Sequence, residues 1–314
     1  KLEKYYENMF AGFTIGKNYG LPAKEIKRLK NTLAFEAFYK VCRNLPEEER
    51  LSIWGENKEQ MIALVRSIKF PILRAYCGHI IKEMKLKKIC DGYDELMLEL
   101  LQTPTVYARE NALKAIYSFG KPELVRQAFL QLSERKMPHN DKLILDGMLS
   151  FTGDERELAA TLMEVFDDLL DCYRNSLIDY LGQKHIDTYD ERLMCMADLP
   201  VDTLCDILRK LERSPSERNL LFLESTIKAY RHTDTWEPVA ISVKGLGGYP
   251  GNERVRGILM DLLLSRNWYI RKNAAAALVA DGITEQEIEQ IHSKNDRYAD
   301  DALQYELGRR PAHV

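Results

Sequence analysis

The stretches VYARENALKAI (Val106–Ile116) and WYIRKNAAAAL (Trp268–Leu278) follow one pattern. In each, an arginine (Arg109, Arg271) is followed by asparagine at +2, alanine at +3 and +6, and a branched aliphatic residue at +7. These are helical intervals, because residues three, four and seven apart share one face of a helix with 3.6 residues per turn. Alanines on that face (Ala112 and Ala115; Ala274 and Ala277) let a neighbouring helix come close, and Ile116 and Leu278 fill the space beside them. A helix pair built this way cannot bury its apolar face alone, so copies must stack.

The same register recurs more weakly at Arg74, Lys142, Arg174, Val239 and Ala299. Successive anchors from Arg74 onward lie 35, 33, 32, 65, 32 and 28 residues apart, the 65 corresponding to two units. The pattern resembles the HEAT repeat family, in particular its short bacterial units, over residues 65–182 and 233–307. The resemblance implies an all-α, armadillo-like fold: a right-handed α-α superhelix, or α-solenoid. It also implies that the repeat arginine pairs with an acidic residue of an adjacent unit. Arg74, Arg109, Arg174 and Arg271 carry that position, whereas Lys142, Val239 and Ala299 depart from it. Residues 183–232 break the period and predict an irregular or extra helix. Residues 1–64 lack the repeat; with an amphipathic pattern over Leu21–Val41 they read as a basic helical cap on a solenoid spanning residues 65–314.

Start and stop signals support short helices of 10–16 residues. Thr103-Pro104 reads as an N-cap followed by proline at the first helical position. Gly120-Lys121-Pro122 reads as a C-terminal glycine and the next start. Asp281-Gly282 closes a helix, and Thr284 with Glu287 opens another as a capping box.

Of 314 residues, 45% are hydrophobic and 30% charged, the balance of a folded chain and not of a disordered one. The net charge of −3 hides an asymmetry: residues 1–90 carry 18 Lys+Arg against 10 acids, or +8, which leaves −11 for the remainder. The basic side chains Lys24, Lys27, Arg28, Lys82, Lys85, Lys87 and Lys88 form two clusters suited to an anionic membrane surface or an acidic partner. Glu164, Asp167, Asp168 and Asp171 fall at i, i+3 and i+4 spacings and predict one acidic helix face, a surface for a basic partner. The acidic remainder would repel phosphate, which argues against nucleic acid as a partner. The six scattered cysteines form no CxxC pair and fit a reduced, cytoplasmic protein. No run of 18 apolar residues occurs; a membrane anchor before Lys1, or a disordered tail there, is the open question at that end.

Motifs of chemistry are sparse. Gly245-Leu246-Gly247-Gly248-Tyr249-Pro250-Gly251 invites a dinucleotide reading, but Pro250 stands where GxGxxG needs its third glycine, and the repeat register makes the preceding segment helical. A helix end and turn is the expectation. No cofactor or metal-ligand motif is present. His232 and Asp234 can meet at a loop, although capping of the next helix by Asp234 or Thr235 is the plainer reading. Trp268 and Tyr269, at the start of a repeat, are expected to pack on the neighbouring unit. The function expected is a non-enzymatic protein-protein interaction scaffold or adaptor, with a basic end toward the cytoplasmic face of a membrane. The alternative resembles HEAT-repeat enzymes that remove alkylated bases from DNA, with Trp236, Trp268, Tyr269 and Asp234 as the pocket.

Overall fold

The computed structural model describes residues 46, 48, 55, 56, 58–67, 92–103, 106–196 and 199–308, and these form α-helices without a strand. Arg74, Lys24, Lys27, Arg28, Lys82, Lys85, Lys87 and Lys88 lie outside the described residues, as does most of the expected cap. The chain divides into two compact units, one ending at Leu170 and the other beginning at Asp171. No described helix is long and apolar enough to cross a membrane.

The first unit contains α1 (Lys58–Ser67), α2 (Asp94–Leu101), α3 (Val106–Phe119), α4 (Pro122–Glu134), α5 (Asp141–Leu149) and α6 (Glu155–Glu164). From α2 onward, packing joins next-but-one neighbours, α2 with α4, α3 with α5 and α4 with α6. The core is Leu96, Met97, Leu100, Ala112, Ala115, Ile116, Phe129 and Leu162, each at most 2% exposed. Polar bridges over this core span nearly constant chain distances: Arg66 to Glu99 (3.1 Å, 33 residues) and Thr152 Oγ1 to the Ser118 carbonyl (3.0 Å, 34 residues).

The second unit contains α7 (Asp171–Gln183), α8 (Asp190–Met194), α9 (Val201–Glu212), α10 (Glu217–Tyr230), α11 (Glu237–Leu246), α12 (Glu253–Leu262), α13 (Trp268–Ala280), α14 (Glu285–His292) and α15 (Arg297–Gly308). A row of helices α7, α9, α11, α13 and α15 is in side-by-side contact, each with the next. The helices between them are tied by ion pairs at a similar offset, Arg231 to Asp261 (30 residues, 2.7 Å) and Arg254 to Glu224 (30 residues). The segment 183–232 does contribute the short extra helix α8, yet α9 fills its place in the row between α7 and α11. The interval of 65 residues therefore spans two helices of the row; α9, like α7, carries no alanine.

The repeat positions explain this packing. Ala112, Ala115, Ile116, Ala274 and Leu278 are fully buried. Asn273, at +2, donates from its amide to the Ala240 carbonyl 33 residues earlier (2.8 Å), pinning α13 to α11. The arginines at this position bond within the chain nearby. Arg109 donates to the Thr103 carbonyl (3.1 Å) and Arg271 to the Ser265 carbonyl (2.6 Å), in each case six residues upstream, just past the end of the preceding helix. A buried cation there satisfies a carbonyl and opposes the negative end of the helix dipole. Arg271 also lies over the Tyr298 ring, 5.2 Å from its centroid. Arg174 pairs with Asp171 in its own first turn.

Several expected boundaries recur. Gly120 (φ +69°) and Gly282 (φ +79°) end helices in the left-handed region, and Pro122 opens α4. The Thr103 hydroxyl donates back to the Leu100 carbonyl (2.8 Å), and the residues it was expected to cap, 104 and 105, lie outside the described residues. Helices as short as the five residues of α8 and the eight of α2 and α14 are tolerated because packing stabilises them.

Two helical glycines differ in what surrounds them. A Cβ on Gly147 would stand 2.1 Å from the buried Tyr117 ring, whereas one on Gly257 would meet nothing within 4 Å. Gly147→Ala is expected to destabilise by about 1–3 kcal/mol through overpacking, and Gly257→Ala to stabilise by about 0.5–1 kcal/mol through helix propensity. Denaturant midpoints that move in the same direction for both would contradict the packing of α5 on α3.

The capping box at α14 forms as read: the Glu287 N–H donates to Thr284 Oγ1 (3.3 Å) and the Thr284 N–H to the Glu287 carboxylate (2.7 Å). The same carboxylate accepts from Arg256 (2.7 Å), whose Nη1 also reaches Asp281 (2.6 Å). Hydrogen bonds from Arg256, then from Thr284, hold the Glu287 carboxyl at about 2 against the burial that opposes ionisation. The lowered value favours the folded state above the ordinary carboxylate range near 4.5, and that gain disappears as pH falls toward 2. Glu287→Gln is expected to cost on the order of 2 kcal/mol at neutral pH and to flatten the acid limb of a pH-stability curve. An unchanged limb between pH 5 and 2 would refute this.

Candidate functional site

The glycine cluster is the end of a helix. Helix α11 runs to Leu246, Gly247 and Gly248 form the turn, and Gly251 has φ +73°. The Gly251 N–H, which a phosphate loop would offer to its ligand, donates to the Asp281 carboxylate (2.8 Å). That carboxylate would repel a phosphate at the same spot.

Two cavities of the second unit meet at Trp236. The first, of about 350 Å³, lies among α9, α11 and α13; its walls include Arg209, Glu212, Arg213, Trp236, Glu237, Lys244, Tyr269 and Asn273. The second, of about 780 Å³, lies at the starts of α11 and α13 and is lined by His232, Asp234, Trp236, Asp261, Arg266 and Asn267 among others.

Local sequence positions the aromatic pair between them. Asn267 caps α13, accepting from the Tyr269 N–H (2.9 Å) and the Ile270 N–H (3.3 Å), and so fixes where Tyr269 leaves the helix. Trp236 is the N-cap residue of α11, with no side-chain cap bond. Neither Asp234 nor Thr235 caps this helix, whose N-cap position falls one residue later on Trp236; the Thr235 N–H donates to Thr233 Oγ1 (3.3 Å). The Trp236 and Tyr269 rings stack at 4.8 Å with 10° between their planes. Tyr269 thus packs on the neighbouring repeat while keeping 54% of its surface exposed. Trp268 is 44% exposed and lines neither cavity, so it does not join the pocket expected of it.

Charge on the walls of the first cavity is mostly neutralised locally. Arg209 pairs with Asp206, Arg213 with Asp179 (3.1 Å) and Lys244 with Glu212 (2.7 Å). Sequence reading passed over these residues, because each pair other than Arg209–Asp206 joins positions 32 or 34 apart on different helices. Their spacing near one repeat length is the signal that could have found them.

The acidic residues do not share one helix. Glu164 closes α6, Asp167 and Asp168 belong to a 3-10 turn, and the backbone extends at Leu169. Beyond this turn the Leu170 N–H donates to Ser133 Oγ (3.1 Å), a tertiary contact. All four side chains are exposed, and Asp171 opens α7 in the second unit. Cys205 is buried in α9, and burial pushes its thiol up to about 11, which suits a core residue and not a nucleophile.

A comparison with protein-family models and with curated proteins finds no match for the chain.

Proposed function

We infer that the chain is a HEAT-like α-solenoid acting as a non-enzymatic scaffold that binds a protein partner. What supports the fold part is a recurring offset of 33 or 34 residues among polar bridges of each unit, with next-but-one helix packing. The observation that carries the functional part is the Trp236–Tyr269 shelf, an exposed aromatic surface in a groove whose cations are each held by a neighbouring carboxylate. Aromatic anchors with neutralised surroundings suit recognition of polypeptide. They suit a phosphate backbone poorly, since that requires free cations.

A second reading has one observation in its favour: Asp234 and Trp236 line the same cavity, as the resemblance to alkylpurine DNA glycosylases would want. Cross-linking capture from extract of the native cells separates the two. Partner proteins retained by the wild type and lost with Tyr269→Ala support the scaffold. Salt-dependent binding of duplex DNA that is abolished by Asp234→Asn would replace it with the DNA-processing reading. The membrane-facing form of the proposal rests on Lys82, Lys85, Lys87 and Lys88, and requires that reversing their charge abolish binding to anionic vesicles.

A further inference from the structure

A count of the charges around the aromatic shelf narrows the partner. In the first cavity Arg209, Arg213 and Lys244 each face a carboxylate, and Glu212 is used by Lys244. Glu237 lines the same cavity, is exposed, and takes part in no ion pair among the described residues. It is the residue after Trp236 and stands in the first turn of α11. Among the described residues, Asp234 and Arg266 of the second cavity take part in no ion pair, one charge of each sign, so this cavity contributes no comparable bias. The groove therefore offers an aromatic face with a single uncompensated negative charge beside it.

The chemistry that fits both features is a planar, weakly hydrated cation. A guanidinium is attracted to the face of an aromatic ring and pairs in two-pronged fashion with a carboxylate, whereas an ammonium ion is compact and strongly hydrated. An anionic ligand would meet Glu237 and find no cation unengaged in this cavity. We propose that the Trp236–Tyr269 shelf docks an arginine side chain of the partner polypeptide, its guanidinium on the exposed Tyr269 ring and paired with Glu237. This deepens the protein-binding reading and rests on it.

The test uses the full chain and a fluorescently labelled, amidated peptide of repeated Gly-Ser-Arg triplets, with Gly-Ser-Glu triplets as the opposite-charge probe and anisotropy as the readout. The arginine peptide should bind and the glutamate peptide should not. Glu237→Gln and Tyr269→Ala should each weaken binding about tenfold. Tyr269→Phe, which keeps the ring face, should retain binding, and so should Glu253→Gln, which removes an exposed carboxylate on α12. Indifference of the arginine peptide to Glu237→Gln, equal binding of the glutamate peptide, or no binding of the arginine peptide overturns the proposal. If Tyr269-dependent capture of a protein partner persists in that case, the scaffold reading stands and only the arginine assignment falls; if capture is also insensitive to Tyr269→Ala, both fall.

Discussion

Replacing Asp190 by alanine should destabilise the second unit by about 3–5 kcal/mol, because it strands a buried charge. The Lys210 side chain, on α9, is completely shielded from solvent and pairs with Asp190 of α8 and with Asp187 (3.2 Å). Asp190 in turn accepts from the Asn219 amide (3.3 Å) and the Ser214 hydroxyl (3.4 Å), and Asn219 also donates to the Ser214 carbonyl (2.6 Å). Removing the carboxylate leaves the ammonium desolvated, with only the half-exposed Asp187 nearby. Adding Lys210→Met to Asp190→Asn should recover most of the loss, since the asparagine still accepts from Asn219 and Ser214 while no charge is buried. Denaturant unfolding of the three variants reads the difference. A cost below about 1 kcal/mol for Asp190→Ala would mean that Lys210 reaches water, contrary to the packing described.

The second large effect is expected from Ala274→Leu. Ala274 is fully buried on α13, which packs against α11 on one side and α15 on the other. Three added carbons must push one of these helices away, at a cost of about 2–3 kcal/mol. Ala276, two residues on, is only half-buried, and Ala276→Leu should change stability by no more than about 0.5 kcal/mol. Comparable costs at the two positions would show that α13 does not present the small-residue face to its neighbours. Ala112, equally buried on α3, should behave like Ala274 within the first unit.

These two sites also mark how far the sequence could be read. The alanine face of α13 was legible because close helix packing imposes small residues at fixed intervals, and intervals are visible in one dimension. The place of α9 in the row was not, because its interface with α7 carries a lysine. A Cβ on Gly182 of α7 would come within 3.3 Å of the Lys210 Cα, so this charged residue lies directly against the neighbouring helix. Periodicity counts such a residue as exposed; only Asp190, twenty residues away, makes it a core residue. The acidic face read over Glu164–Asp171 failed for the opposite reason. Its spacing was helical, but α6 ends at Glu164 and the chain passes through a 3-10 turn at Phe166–Asp168, with Phe166 fully buried, before α7 begins.

Local physics was therefore determined by the sequence alone: the all-α class, the capping box at Thr284, the glycine helix ends at Gly120 and Gly282, and the repeat positions at Arg109 and Arg271. Each follows from hydrogen bonds and side-chain directions within a few turns of helix. Tertiary structure decided which carboxylate neutralises which cation, that Tyr269 stacks on Trp236, and that Glu237 is left without an ionic partner among the described residues. Those outcomes depend on distances between side chains about one repeat apart. Electrostatic and stacking energies follow distance through space, and a linear sequence does not contain it.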